Sequence, residues 1–219
     1  ETSFDMAAAA GFDAIEPWDW ELKDYETAGG DLKNLRQLIA DSGLFVPSVI
    51  GLWGAMAASK EDFAAHLDEQ KNRMRMISAI GAQHVQVIPD FKQPLINHEM
   101  AAWCYREILL LGRKEYNLQA AVVFLNFVDG LRRLEDAMDI ALRADHPDAQ
   151  IIPDSFHMFL GQTGENTLRH LNGDFIAIYQ FGDAMQEVMP GIVNDDKRRV
   201  LPGDGKLPLV KMFQDLRHT

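Results

Sequence analysis

Apolar residues recur along this chain in two rhythms that alternate from one end to the other. Helical spacing is clearest over 31–41, where Leu32, Leu35, Leu38 and Ile39 share one face, and over 61–80, where Phe63, Leu67, Met74, Ile77 and Ile80 do so. Further helices are predicted over 4–10, from Asn97 to Tyr116, over 131–144, around 165–171, and over 208–216. Short apolar runs between them predict six strands, at 12–16, 44–52, 84–88, 118–126, 151–154 and 175–181. Gly11, Gly43, Gly81 and Pro89 punctuate the elements, and Thr2 or Ser3 is the expected cap of the first helix. Pro17-Trp18-Asp19-Trp20 reads as a loop at a strand exit.

Helix alternating with strand calls for a parallel sheet wrapped in helices. The runs at 120–125 and 175–178 are apolar on successive residues, the signature of strands buried on both faces. Neither a Gly-x-Gly-x-x-Gly nor a Gly-x-x-x-x-Gly-Lys-Ser/Thr motif occurs, so dinucleotide and P-loop readings have no basis. Six strands are two short of a (β/α)₈ barrel, and the chain opens and closes on a helix. The expected fold is therefore a TIM-type barrel, one domain over 1–219, lacking its first and last strands. Its open sheet edges predict either a chain cut from a longer one or closure by homo-oligomerisation.

A net charge of −12 leaves no basic face for nucleic acid or an anionic membrane. The densest basic run, Lys197-Arg198-Arg199, follows Asp195 and Asp196 and reads as a solvated loop. Cys104, the single cysteine, sits among Ala101, Ala102, Trp103 and Ile108, the setting of a structural thiol. No run of 18 apolar residues and no signal-type leader is present, which makes the cytoplasm the expected compartment.

The chemistry centres on Ile151-Ile152-Pro153-Asp154-Ser155-Phe156-His157, a strand delivering a carboxylate and then an imidazole to its C-terminal end. Around it, several short stretches fall in a recognisable order. They are Ala8-Ala9-Ala10-Gly11-Phe12-Asp13-Ala14-Ile15-Glu16, Phe124-Leu125-Asn126-Phe127, Leu134-Glu135-Asp136-Ala137, Asp154-Ser155-Phe156-His157, the strand ending in Gly182-Asp183, and Arg199-Val200-Leu201-Pro202-Gly203-Asp204-Gly205. In that order they resemble the xylose-isomerase-like TIM barrels, the sugar isomerases and epimerases.

The resemblance implies a divalent cation, Zn²⁺, Mn²⁺ or Mg²⁺, held by a fifth-strand Glu, the Asp of Asp-x-x-His, a seventh-strand His and an eighth-strand Glu. The two Glu residues would also move the proton through a metal-stabilised enediolate. Carried onto this chain, the fifth-strand Glu falls on Val123 and the seventh-strand His on Gln180; the eighth-strand Glu falls beyond Thr219. Asp154 would hold the cation, with Gln180 lending a carbonyl oxygen. His157 and Glu16 are the expected catalytic or orienting groups, and Trp53, Asn126 and Arg199 the expected substrate contacts. Trp18 and Trp20 could also stack on a sugar face, whereas His84 begins its strand, the wrong end for barrel chemistry.

The implied activity is isomerisation or epimerisation of a small sugar or polyol with an eroded metal site. Two alternatives stand beside it: a catalytically silent sugar-binding or scaffold protein, and a metal-dependent lyase acting on a keto-sugar or inositol-like ring.

Overall fold

The computed structural model describes residues 3–185 and 198–219; Thr2 and the run Asp195-Asp196-Lys197 lie outside the described residues. Four strands form one parallel sheet in chain order, β1 (Ser48–Val49), β2 (His84–Val87), β3 (Gln119–Val123) and β4 (Gln150–Ile152). Single parallel bridges extend this ladder at both ends. Ala14 and Trp18 pair with Phe45 and Ile50 ahead of β1, and Ile176 and Gln180 pair with Ile151 and Asp154 beyond β4. All six predicted strand segments thus lie side by side and parallel, in sequence order. Backbone ladders are shorter than the apolar runs because the first and last segments touch their neighbours only at isolated bridges.

The sheet curls, since the Glu16 side chain of the first segment reaches the Gln180 side chain of the sixth. Along β3 the faces separate. Ala121 and Val123 turn inward to a small cluster with Ile88 and Ile152, while Ala120, Val122 and Phe124 join the large core under the helices. Burial on both faces explains the unbroken apolar sequence of this strand.

The outer layer holds α1 (Ser3–Ala9), α2 (Asp19–Thr27), α3 (Leu32–Asp41), α4 (Lys60–Ala79), α5 (His98–Leu111) and α6 (Leu134–Arg143), followed by α7 (Ser155–Leu160) and α8 (Leu209–Leu216). Local chemistry starts and stops them. Asp31, Ser59 and Asn97 cap α3, α4 and α5 by accepting the N–H of Lys33, Asp62 and Met100. Gly43 and Gly81 end α3 and α4 at φ of +79° and +77°, a backbone that β-carbon-bearing residues rarely adopt.

Three expectations need correction. The stretch read as a loop at Pro17–Trp20 opens α2, because the Glu21 carboxylate turns back to accept the Trp18 N–H and closes a helical turn. The helix expected to run to Tyr116 leaves α geometry at Leu111 and finishes as a π turn over Gly112–Tyr116. Around 165–171 there is only a 3₁₀ turn, Leu168–His170, and the helix of this connection is α7, directly after β4. A two-stranded antiparallel pair, β5 (Asp183–Ala184) with β6 (Arg199–Val200), has no counterpart among the predicted elements.

Tyr105 ties α5 to the sheet. Its hydroxyl accepts the Gln150 N–H at 2.8 Å and lies 2.8 Å from the Ala120 carbonyl and 3.0 Å from that of Gln150, so its one proton serves either acceptor. The side chain is fully buried and burial drives the phenol's pKa upward. Tyr105→Phe is expected to destabilise the fold by about 1–3 kcal/mol, because it strips partners from groups that water cannot reach. Urea denaturation checks this, and an unchanged midpoint would remove Tyr105 from the list of sheet–helix ties.

Candidate functional site at the barrel mouth

Asp154 follows β4 at the C-terminal end of the sheet and is 4% exposed. One carboxylate oxygen, Oδ1, accepts the N–H groups of Phe156 and His157 at 2.8 and 3.0 Å and so starts α7. The other, Oδ2, accepts from Arg199 Nη1 at 3.0 Å. That cap places His157 one turn on, where Nδ1 lies 2.8 Å from Asn126 Oδ1 and Nε2 lies 3.2 Å from Arg199 Nη2. A guanidinium only donates, so Nε2 accepts and the imidazole proton resides on Nδ1, directed at the Asn126 amide oxygen. In that tautomer the 3.3 Å approach of the Asn126 N–H to Nδ1 is a close contact and not a hydrogen bond. Arg199 also stacks on Phe156, its guanidinium carbon 4.5 Å from the ring centroid.

Across the mouth, Glu16 Oε1 accepts from Gln86 Nε2 at 2.8 Å and Oε2 from Gln180 Nε2 at 2.7 Å. Gln180 is the bridge partner of Asp154, so the two polar groups adjoin. An aromatic rim runs beside them. Trp53 lies parallel to Trp18 with centroids 5.8 Å apart and meets Phe91 edge-on at 5.9 Å. Phe91 contacts Phe127 at 5.7 Å, and Phe127 contacts His157 at 6.3 Å.

Trp53 is fixed rather than loose. Its indole N–H donates to buried Asp19 at 2.8 Å and its carbonyl accepts from Gln70 at 2.9 Å. The preceding residue, Leu52, is fully buried at φ +53°, a strained backbone for a branched side chain, and it turns the chain so that Trp53 meets the barrel mouth.

Residues 4–219 match the sequence profile of the xylose isomerase-like TIM barrel. The chain belongs to that family. It is 23% identical over 214 residues to the 3-dehydroshikimate dehydratase of Pseudomonas putida, covering 97% of this chain and 33% of that protein. The chain therefore spans about a third of the length of this curated relative. Among solved structures it is similar to a xylose isomerase-like TIM barrel/4-hydroxyphenylpyruvate dioxygenase fusion protein, with TM-score 0.89, 22% identity, and coverage of 99% of this chain and 34% of that one. The IolI protein with a bound zinc atom superposes with TM-score 0.85 at 19% identity, covering 100% of this chain and 80% of that one. No helix among the described residues is long and apolar enough to cross a membrane.

Seven residues stand out from sequence as site candidates. Asp154, His157, Asn126 and Arg199 form one hydrogen-bonded cluster, Glu16 and Gln180 a second, and Trp53 stands in the rim that links to the first through two phenylalanines. Asn126 is 1% exposed and faces the imidazole. His84 lies at the opposite end of its strand, against Pro47 and Gln150. Sequence reasoning passes over Gln86, although a lone amide between two valines of β2 is the mark of an inward polar position. It also passes over Asp19, hidden in a stretch whose pattern predicts a loop.

The family's implied cation does not fit these residues. Val123 is packed in the inner apolar cluster and offers no donor. The amide of Gln180 donates to Glu16, and Asp154 meets backbone N–H groups on one oxygen and a guanidinium on the other. No group of three or more His, Cys, Asp or Glu side chains among the described residues is placed to share a metal ion.

Asp183, one of the residues that carry the family resemblance, fastens the segment that holds Arg199. Its Oδ1 accepts the N–H of Ala184 and Leu207, its Oδ2 those of Gly203 and Gly205, all between 2.8 and 3.0 Å. Ala184 pairs with Arg199 across β5 and β6, so this knot sets where the guanidinium stands. A Cβ at Gly205 would collide with Asp183 Oδ1. Burial works to raise the pKa of this carboxyl, and the four backbone donors overcome it, leaving the group below the usual carboxylate range.

A depressed folded pKa contributes stability that is complete above the unfolded value of about 4 and is lost as pH falls through the lower folded value. Asp183→Ala is expected to cost about 3 kcal/mol at neutral pH, with the deficit shrinking in acid. Denaturant titrations of both proteins across acid and neutral pH test it; a pH-independent difference would show that the charge of Asp183 is immaterial.

Proposed function

We propose that this chain forms a binding pocket for a small sugar or polyol, with Val123 and Gln180 at two positions its family uses for metal-assisted proton transfer. The observation that carries this reading is the Glu16 carboxylate held open between the amides of Gln86 and Gln180. A carboxylate flanked by two amides at a barrel mouth offers converging acceptors and donors, the set a polyhydroxylated ring needs. In this reading Glu16 accepts ligand hydroxyls, Arg199 donates to a ligand oxygen, and His157 is held in one tautomer beside them. The rim of Trp53, Phe91 and Phe127 supplies the apolar wall against a ring's C–H face. Enediolate chemistry lacks support here because Val123 and Gln180 stand where its ligands and base are expected.

A lyase is the second reading, favoured by kinship with the Pseudomonas putida dehydratase. It requires a base to remove a ring proton, and among the described residues the imidazole nitrogen at the mouth that accepts a hydrogen bond is His157 Nε2.

Calorimetric titration of metal-stripped protein with a panel of cyclic polyols and monosaccharides tests the proposal. Binding is expected to survive a chelator and to weaken about tenfold to a hundredfold in Glu16→Ala, the worth of a charged hydrogen bond. If every ligand on the panel requires added metal, or if Glu16→Ala binds as the parent does, the pocket reading fails. Release of water from a ring substrate once a divalent metal is restored would instead favour the lyase.

A further inference from the structure

We infer that the mouth is built for an aryl glycoside, a sugar ring that carries a planar aromatic substituent. This rests on the proposed sugar or polyol pocket and goes beyond it by naming what is attached to the polar ring. An arc of aromatic side chains spans four consecutive strand exits. Trp18 closes the first segment, Trp53 follows β1, Phe91 follows β2 and Phe127 follows β3. Neighbouring ring centroids along that series lie 5.8, 5.9 and 5.7 Å apart, and Trp20 extends it beyond Trp18 at 6.4 Å.

The arc is wider than a lone sugar needs. Trp18, Phe91 and Trp20 are 38%, 48% and 51% exposed, and Leu95, against Gly130 of the Phe127 loop, is 64% exposed. An aromatic side chain can bury roughly 150–250 Å². A polyhydroxylated ring offers carbon only on its faces, so one face laid on Trp53 or Phe127 leaves the rest of the arc in water. An exposed apolar surface that runs without a break into a polar pocket marks a ligand site.

The chemistry of the arc selects the substituent. Trp53 gives its indole N–H to Asp19 and its carbonyl accepts from Gln70, so at this exit ring carbon is what meets a ligand. Trp18 and Trp53 lie 3° from parallel, whereas Trp53 with Phe91 and Phe91 with Phe127 meet at 74° and 66°. Those are the two arrangements in which one more aromatic ring gains beyond the area it buries. Both ends of the arc reach the pocket, since Phe127 lies 6.3 Å from His157 and Trp18 stands two residues after Glu16. A substituent on a sugar held by Glu16 therefore meets this surface.

The rings are also set in advance. Glu21 holds the Trp18 backbone, and the Asp90 carboxylate and carbonyl accept the N–H groups of Lys92 and Gln93, closing the turn that carries Phe91. A planar substituent has few torsions to freeze against such a surface, whereas a flexible alkyl chain of equal area has several.

Calorimetric titration with the methyl, cyclohexyl and phenyl glycosides of glucose, galactose, mannose and xylose tests the inference. The proteins are the parent, Glu16→Ala, Trp18→Ala, Phe91→Ala and the double variant Trp18→Ala/Phe91→Ala. For at least one sugar, the phenyl glycoside is expected to bind the parent about tenfold more tightly than the methyl glycoside, and more tightly than the cyclohexyl one. In the double variant the phenyl-to-methyl ratio is expected to fall towards one. Far-ultraviolet circular dichroism confirms folding, and the single variants carry the test if the double variant does not fold.

Equal affinity of phenyl and methyl glycosides across the panel overturns the inference, whether or not either binds. An equal gain from the cyclohexyl group overturns it too, because the arc would then be an undiscriminating apolar wall. So does self-association of the parent in sedimentation that the double variant abolishes, since the rings would then belong to a contact between copies. Methyl glycosides that bind with no aryl gain sink this inference and leave the pocket reading standing. An aryl gain that is lost in the double variant but intact in Glu16→Ala, with no binding of free sugars, sustains the arc as a ligand contact while sinking the pocket reading.

Discussion

One carboxylate at the end of one strand governs the mouth of this barrel. Asp154 terminates β4, begins α7 with one oxygen and meets Arg199 with the other. Each half of that arrangement needs the other. A cap alone would leave the outer oxygen facing partly buried surroundings, and an ion pair alone would not aim His157. Because both oxygens are committed, the imidazole one turn on has a single orientation. Its tautomer then follows from the guanidinium on one side and the Asn126 amide on the other.

The rest of the mouth is assembled from elements far apart in the chain, and each contributes through its own local rule. The first segment brings Glu16, β2 brings Gln86, and the sixth brings Gln180, all at inward positions set by the two-residue period of a strand. The β1 exit brings Trp53 through the strained Leu52. Helix α2 brings Asp19 to steady the indole, with Arg73 of α4 3.4 Å from its second oxygen. Glu16, Gln86, Gln180 and Asp19 each have a hydrogen-bond partner from another element, which favours a pocket that recognises shape without rearrangement.

Much of this is legible in the residues alone, for identifiable reasons. The six strand positions announce themselves as apolar runs between glycines and prolines, and the parallel order follows from helix alternating with strand. Asp154, His157 and Arg199 stand out through motif order. What stays hidden is contact between distant segments. No spacing within the sequence links Glu16 to Gln86, or Asp183 to a loop twenty residues later. Helix α2 escapes notice because its opening, Pro17-Trp18-Asp19-Trp20, lacks apolar period. Its start depends instead on Glu21 folding back to the Trp18 backbone. Strand limits are overread at 44–52 and 118–126, since apolar character continues past the point where the ladder ends.

The contact between Glu16 and Gln180 joins residues 164 positions apart. Closing so long a loop is entropically costly and belongs late in folding, after the intervening units have docked. A ligand lodged between those two side chains would be bound only by the fully assembled chain. Its binding energy would thus be added to the stability of the whole molecule rather than of one lobe. Heat resistance conferred by a dissolved compound would accordingly identify an occupant of this mouth, whether or not any reaction follows its binding.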